Sequence, residues 1–581
     1  MSISLDRAGS RQKAGLGRML LSPQALLALA GVLVCLLLAV PLSAPIGPMY
    51  WDVMIYYDAA NRIFDGQAPV LDFFTPVGPL GYYIFAGWLT LFPGAQPTLI
   101  AHWSLLVLTA PLMALVVWQI DQRSRVTALA LLLPFLIFAL LPFNTREFYP
   151  YPGSDGFGIY NRQVCQVLYV LVAALLFVKN RWLLASIIAV AMTALFFLKI
   201  TGFVAAVSIV VFAFLAGRVP LRHAVASALA FAVVLGGLEL STGIVSHYLA
   251  DIGQLVEMNS GSLLPRFLQS MSNNFGIILP AAALGLLLLW ADRGLLLQRA
   301  ATAWRTRRPA DVGVLFDHHG LWLAAVLAAG IFFETQNTGS QALIFLWPVL
   351  LAVLLRSGAL MAKPKLMITV FALAAAAALP PAVAVVERAA RTYVGAAKNL
   401  ALQHQNLKTL GSINMRDEVE RRVTAMMGFY PQHRDLYEDL TGAEVLPSPV
   451  FYSEFDFQVT HLIGIDRAIS SIRALEAAKD VRFETIMSLN FVNPFPWLMD
   501  RSAPLHIAIG ADPTRAVPDP GSEEEAAVSA TDLVLYPTCP PTTANAMLYE
   551  MYASALTTHK RIKLDACYDA FVHPRLAELV D

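Results

Sequence analysis

The sequence predicts a polytopic α-helical membrane protein with a soluble α/β domain at its C-terminus. Three observations lead there. Hydrophobic residues make up 57% of the 581-residue chain and charged residues only 14%, against about 45–50% and about 25% in ordinary soluble proteins. The apolar excess lies in runs long enough to cross a bilayer. Those runs stop near residue 386, and 387–581 has mixed, soluble-looking composition. The chain therefore divides into a membrane domain, 1–386, and a C-terminal domain, 387–581. Fibrous and disordered classes are excluded. The 41 basic residues balance the 41 acidic ones, so no basic field points to nucleic acid.

The first apolar run, 20–42, follows Arg7, Arg11, Lys13 and Arg18. Its length favours a retained first helix over a cleaved signal peptide, for which "LSA" is a weak processing site. Further spans are predicted at 97–119, 126–143, 162–178, 182–198, 200–217, 223–243, 274–291, 320–334, 341–357 and 365–386. The segment 79–92 is short, rich in Tyr and Trp, and bounded by Pro76, Pro79 and Pro93. If it does not cross, Arg123, Arg125, Lys179, Arg181, Arg218, Arg222, the Arg293–Arg308 cluster and Arg356, Lys363 and Lys365 all share the side of the basic N-terminus. That is the positive-inside pattern. So 79–92 is read as a juxtamembrane or re-entrant helix at the outer interface, where aromatic rings are favoured. About eleven spans result, with the N-terminus cytoplasmic and the C-terminal domain outside.

The opposite side carries connections 43–96, 144–161, the Lys199 turn, 244–273 and 335–340. Ionisable groups gather toward that leaflet, near a cavity or snorkelling to the interface. In the first loop, Trp51 to Phe64 has helical period, with Val53, Tyr56, Tyr57, Ala60 and Phe64 on one stripe. Such a helix would lie on the membrane surface, and Asp52 at its start is an N-terminal cap on spacing alone. The loop "NTREFYPYPGSDGFGIYNRQ" (144–163) is aromatic and glycine-rich, with Asp155 and Arg162. It suits either sugar recognition or an interfacial aromatic belt. Lys199 sits in the hairpin "FLKITG", as an interfacial lysine or opposite an anion.

An Asp just past the first span, then Tyr, "AANRI", "DG", "DFF", a Pro-Gly-Pro turn and an aromatic amphipathic helix together resemble membrane glycosyltransferases of the GT-C superfamily. The resemblance is to the group related to protein O-mannosyltransferases and lipid A aminoarabinose transferases. It covers about the first 100 residues and, beyond them, only the pattern of spans. It implies a GT-C-like membrane domain, a polyprenyl-phosphate-linked sugar as donor, and Asp52 as the catalytic carboxylate. Many relatives carry a Lys that meets the lipid phosphate in the second half of this loop, where Thr75–Pro79 here reads "TPVGP". Arg62, Arg162 and Lys199 are the substitutes. Tyr56, Tyr57, Asp58, Asp72 and Asp155 are candidates for sugar and acceptor hydroxyls. The leaving group is already a phosphate, so no cofactor is obligatory, and a divalent metal is left open. No metal-ligand motif and no nucleotide loop is found.

In the C-terminal domain, 387–428 reads as an amphipathic helix beyond Pro380 and Pro381. "LHIAIG" (505–510), "TDLVLYP" (531–537) and "RIKLD" (561–565) read as strands and 543–557 as a helix. Cys539 and Cys567 each follow a strand of the predicted strand–helix–strand unit. Its carboxyl ends are neighbours, so a disulfide is expected there in an oxidising compartment.

The reading is an inverting sugar transferase of a bacterial inner membrane with a periplasmic C-terminal domain. Asp52 is its general base, and the acceptor is an envelope glycan, lipid or protein. A secondary transporter or lipid flippase is the competing class; it calls for repeated halves and midplane polar groups. A non-catalytic scaffold is the third.

Overall fold

The computed structural model describes residues 22–147, 153–336, 339–356, 363–445 and 455–579. The basic N-terminus and the aromatic stretch 148–152 lie outside the described residues. Each of the eleven apolar segments is helical. Among the described residues, four helices are long and apolar enough to cross a membrane: Ile159–Phe177, Arg181–Leu198, Leu221–Thr242 and Pro364–Lys398. Three bent pairs pass the same test together, and five further apolar helices are shorter, Leu80–Leu91 among them. Local chemistry sets several starts. Ser22 caps its helix by accepting from the Ala25 N–H, ahead of Pro23 in the first turn. Asn180 does the same for Trp182 and Leu183.

Ile159–Phe177 is the central helix, buried along nearly its whole length by helices on every side. Leu221–Thr242 is the opposite case. Of its side chains only His223 and Ser227 are buried, and Leu229, Val233 and Leu240 are exposed. An apolar helix exposed in this way suits contact with lipid. Between apolar helices in lipid, close packing has to come from small residues. A Cβ at Gly320 would stand 2.8 Å from the Gly285 carbonyl oxygen, so the helices Phe275–Ala291 and His319–Glu334 can cross there only without a side chain.

The first loop departs from its surface-lying expectation. Trp51–Phe64 is helical, but every residue from Asp52 to Arg62 is buried. It packs against Leu80–Leu91 through Tyr56 on Tyr82 and Tyr57 on Phe85, with ring centroids 5.1 and 5.2 Å apart. The C-terminal segment covers the remainder. Trp497 meets Tyr57 at 5.2 Å, and the Tyr50 N–H donates to Gln458 Oε1 at 2.6 Å. β1 (Ala44–Pro45) pairs in parallel with β3 (Ile413–Met415), which also pairs antiparallel with β2 (Leu400–Ala401). Period alone identifies an apolar stripe; here both faces are covered, because a second segment lies over the one predicted to face solvent.

The C-terminal region differs from the prediction in three places. Helix Pro364–Gly395 runs through Pro380 and Pro381 and past residue 386. The next α-helix starts only at Asp417, after β2 and β3. Residues 505–510 form no strand. They attach to the first loop at two points, where His506 N–H donates to the Asp72 carbonyl (2.6 Å) and Ile509 N–H to the Phe74 carbonyl (3.1 Å). The strand–helix–strand unit is present as Leu533–Pro537, Thr543–Tyr552 and Lys560–Lys563, but its two parallel strands are not neighbours. The sheet order is β4 (Ile486–Ser488), β5 (Leu533–Pro537), β7 (Tyr568–Val572), β6 (Lys560–Lys563). β7 lies antiparallel between β5 and β6, and β4 is the parallel partner of β5.

Cys539 and Cys567 are disulfide-bonded, with Cα atoms 4.9 Å apart. They meet because Pro537 pairs with Tyr568 across the antiparallel ladder, at the end of the sheet where the parallel strands β5 and β6 both finish. The bond closes a loop of sequence separation 28, worth about 3–4 kcal/mol in the chain-entropy picture. Cys567→Ser should therefore lower the thermal midpoint of the C-terminal region by several degrees. A melt of the variant beside the oxidised wild type measures this.

Candidate functional site

A cavity of about 360 Å³ opens where the first loop, the ends of several apolar helices and the C-terminal segment meet. Asp52, Ile55 and Tyr56 of Trp51–Phe64 line one wall, with Tyr82 and Tyr160 beside them. Helix Ile244–Asn259 supplies an apolar wall of Ile252, Leu255 and Val256, with Tyr248. Lys199 comes from the turn between two apolar helices, and Arg266 from helix Leu263–Asn273. Gly510, Asp512 and Arg515 of the C-terminal segment complete the lining.

Asp52 stands in the first turn of its helix, where the macrodipole favours an anion. It does not cap that helix: no side-chain cap bond is made there. Its Oδ2 instead accepts the Gly158 N–H at 3.0 Å. The glycines of 153–158 make this possible. Gly158 has φ +68°, and a Cβ on it would stand 2.4 Å from the Gly339 carbonyl oxygen. A Cβ on Gly156 would meet the Tyr50 Cα at 2.4 Å. The segment lies along the first loop, with Ser154 N–H donating to the Pro45 carbonyl and Gly156 N–H to the Pro48 carbonyl. Burial pushes the Asp52 carboxyl up to about 7, against the opposing effects of the Gly158 N–H and the Arg515 charge.

Lys199 is buried and donates Nζ to Asn161 Oδ1 (2.8 Å) and to the Gln336 carbonyl (3.0 Å), 5.0 Å from the Tyr160 ring centroid. Arg266 Nη1 donates to Gln336 Oε1 at 2.8 Å. Arg515 Nε donates to Asp512 Oδ2 at 2.7 Å. The cavity thus combines one carboxylate poised near neutrality, three cationic side chains and an apolar wall.

Of the residues predicted from sequence, Asp52, Tyr56 and Lys199 line this cavity. The others do not. Arg62 is buried in an ion pair with Asp58 (2.9 Å) and donates to the Pro504 carbonyl; the pair borders a separate void of about 10 Å³. Arg162 Nη2 donates to the carbonyls of Phe138 and Leu141 (3.1 and 2.7 Å), at the end of helix Arg125–Leu140. That is a helix-terminating contact. Asp155 is wholly buried, paired with Arg388 at 2.9 Å and accepting the Asn144 N–H. Asp72 accepts the Ala68 N–H within its own turn. The Tyr57 hydroxyl bonds with Thr409 Oγ1 (3.3 Å). Each of these is bonded to a partner away from the cavity, although the buried Arg162 Nε and Nη1 have none among the described residues. Arg266, Tyr160, Asp512 and Arg515 were not singled out from sequence. "ADPTRA" (511–516) carries a turn signature, but nothing in it says which distant cavity it borders.

Among the described residues, no group of three or more His, Cys, Asp or Glu side chains is placed to hold a metal. No family profile matches the chain, and no curated protein matches it. Two solved structures from Archaeoglobus fulgidus are similar in overall course. One is the archaeal oligosaccharyltransferase AglB in complex with an inhibitory peptide and a dolichol-phosphate, 11% identical with a TM-score of 0.31. The other is an oligosaccharyltransferase tethered by a disulfide to an acceptor peptide containing the NVT sequon, 13% identical with a TM-score of 0.32. Each alignment covers 93% of this chain and 72% of the other. At these scores, the residues of this chain alone carry the functional reading.

Proposed function

We propose that the protein is an inverting membrane glycosyltransferase that moves a sugar from a polyprenyl-phosphate donor to an acceptor hydroxyl. The observation that carries this is the burial of Asp52 in an apolar-walled cavity that also presents Lys199 and Arg266. An amphiphile with a phosphate head and a prenyl tail matches both halves of that lining. The prenyl chain lies along Ile252, Leu255 and Val256, and the phosphate faces the cations. Asp52 takes the acceptor hydroxyl proton. The oxygen attacks the anomeric carbon, the bond from that carbon to the phosphate oxygen breaks, and polyprenyl phosphate leaves. Tyr56, Tyr82 and Tyr160 offer aromatic faces to the sugar. The cavity mouth faces the outer side of a bacterial inner membrane, with the C-terminal segment periplasmic and an envelope glycan, lipid or protein as acceptor.

The test is transfer of radiolabelled sugar from a polyprenyl-phosphate donor by the reconstituted full chain. Transfer by wild type that Asp52→Asn lacks supports the reading. Counterflow of a labelled solute with no transfer contradicts it. Two further outcomes follow. Below pH 7 a protonated Asp52 cannot accept the proton, so kcat/KM should fall about tenfold per pH unit there and level off above; a pH–rate profile checks this. Lys199→Met removes a buried cation from the lining and should raise the donor KM by about tenfold or more, read from initial rates against donor concentration.

A further inference from the structure

The C-terminal segment does more than cover the first loop. Its 505–516 stretch is tied down at both ends of the cavity mouth. His506 and Ile509 bond to the first loop, and the Ala511 N–H donates to the Phe491 carbonyl at 3.0 Å. Asn259 Nδ2, at the end of helix Ile244–Asn259, donates to the Arg515 carbonyl at 3.0 Å. The Arg515 backbone is therefore held to the same helix that forms the apolar wall.

Its side chain is only partly committed. Asp512, itself buried, takes Nε on one carboxylate oxygen while Thr514 occupies the other through its N–H and Oγ1. The two terminal guanidinium nitrogens make no hydrogen bond among the described residues. The side chain is 52% exposed and lines the cavity with Asp52, Lys199 and Arg266. A guanidinium held through Nε, with its terminal nitrogens open, presents the fork that matches phosphate oxygens bidentately.

Resting on the glycosyltransferase reading, we propose that Arg515 is a donor-phosphate ligand contributed by the C-terminal segment, so that the donor site is complete only when that segment is docked. Asp512 is its positioning partner, holding the guanidinium through Nε. The segment is then part of the donor site rather than solely a platform for the acceptor.

The experiment compares binding of a polyprenyl monophosphate and of the uncharged polyprenol of the same length to the purified full chain. It uses wild type, Arg515→Gln and Arg515→Lys. Wild type should prefer the phosphate. Arg515→Gln should lose about tenfold to a hundredfold of that preference, and Arg515→Lys less. The ratio of the two lipids within one variant does not depend on its folded fraction. If wild type prefers the phosphate and Arg515→Gln keeps the full preference, the Arg515 assignment is overturned and the glycosyltransferase reading stands. If wild type shows no preference, both fall.

Discussion

Asp52→Asn should abolish sugar transfer, lowering kcat by about 10²–10⁴-fold, while the chain still folds and still binds donor. Asparagine keeps the shape and an oxygen to accept the Gly158 N–H, but it cannot take a proton. The same change has a second, independent signature. Burial raises the Asp52 pKa from 3.8 to about 7, so the folded chain holds that proton more tightly than the unfolded one. Its contribution to stability is fully present below about pH 4 and is lost as pH rises toward 7. The Asn variant is free of this loss. It should match wild type near pH 4 and exceed it in thermal midpoint at pH 8. A variant equally active to wild type refutes the base assignment. One equally stable at pH 8 refutes the buried, ionising carboxyl.

Arg388→Met should have the largest effect on stability. Arg388 is buried and bonded to Asp155 and to the Asn144 carbonyl, and Asp155 is itself wholly buried and accepts the Asn144 N–H. Removing one partner leaves an uncompensated charge in the interior, which costs about 3–5 kcal/mol. Activity should fall as well, because Asp155 is in the glycine-rich segment that brings Gly158 to Asp52. The double variant Arg388→Met with Asp155→Asn removes both charges and should recover most of the stability. Thermal melts of the two single variants and the double give the coupling. Additive losses would contradict a mutual pair.

Much of the helical layout was legible. An apolar run has one inexpensive solution in a bilayer, a helix that satisfies its own backbone, and the runs at 162–178, 182–198 and 223–243 lie within two or three residues of the helices Ile159–Phe177, Arg181–Leu198 and Leu221–Thr242. The Asp52 candidate came from a short motif resemblance, and the structure places that residue in a cavity. The charged residues around it were harder to sort. Arg62, Arg162 and Asp155 are as ionisable on paper as Lys199, yet each is taken up by a partner: Asp58 four residues away, two carbonyls at a helix end, and Arg388 at a sequence separation of 233. Only the first of those partners is visible in local spacing. Arg266 and Arg515 were invisible for the converse reason, since what places them at the cavity is the packing of segments hundreds of residues from Asp52. The predicted strand at 505–510 failed similarly. Its alternation is real, but its partner is the first loop rather than a sheet neighbour.

A cryo-EM map of the full chain with a polyprenyl monophosphate would show where the donor lipid sits. Phosphate density is expected in the 360 Å³ cavity, beside Lys199 and on the Asp52 side, with the prenyl chain running along Ile252 and Leu255. Phosphate density at another place on the molecule, with this cavity empty, would contradict it.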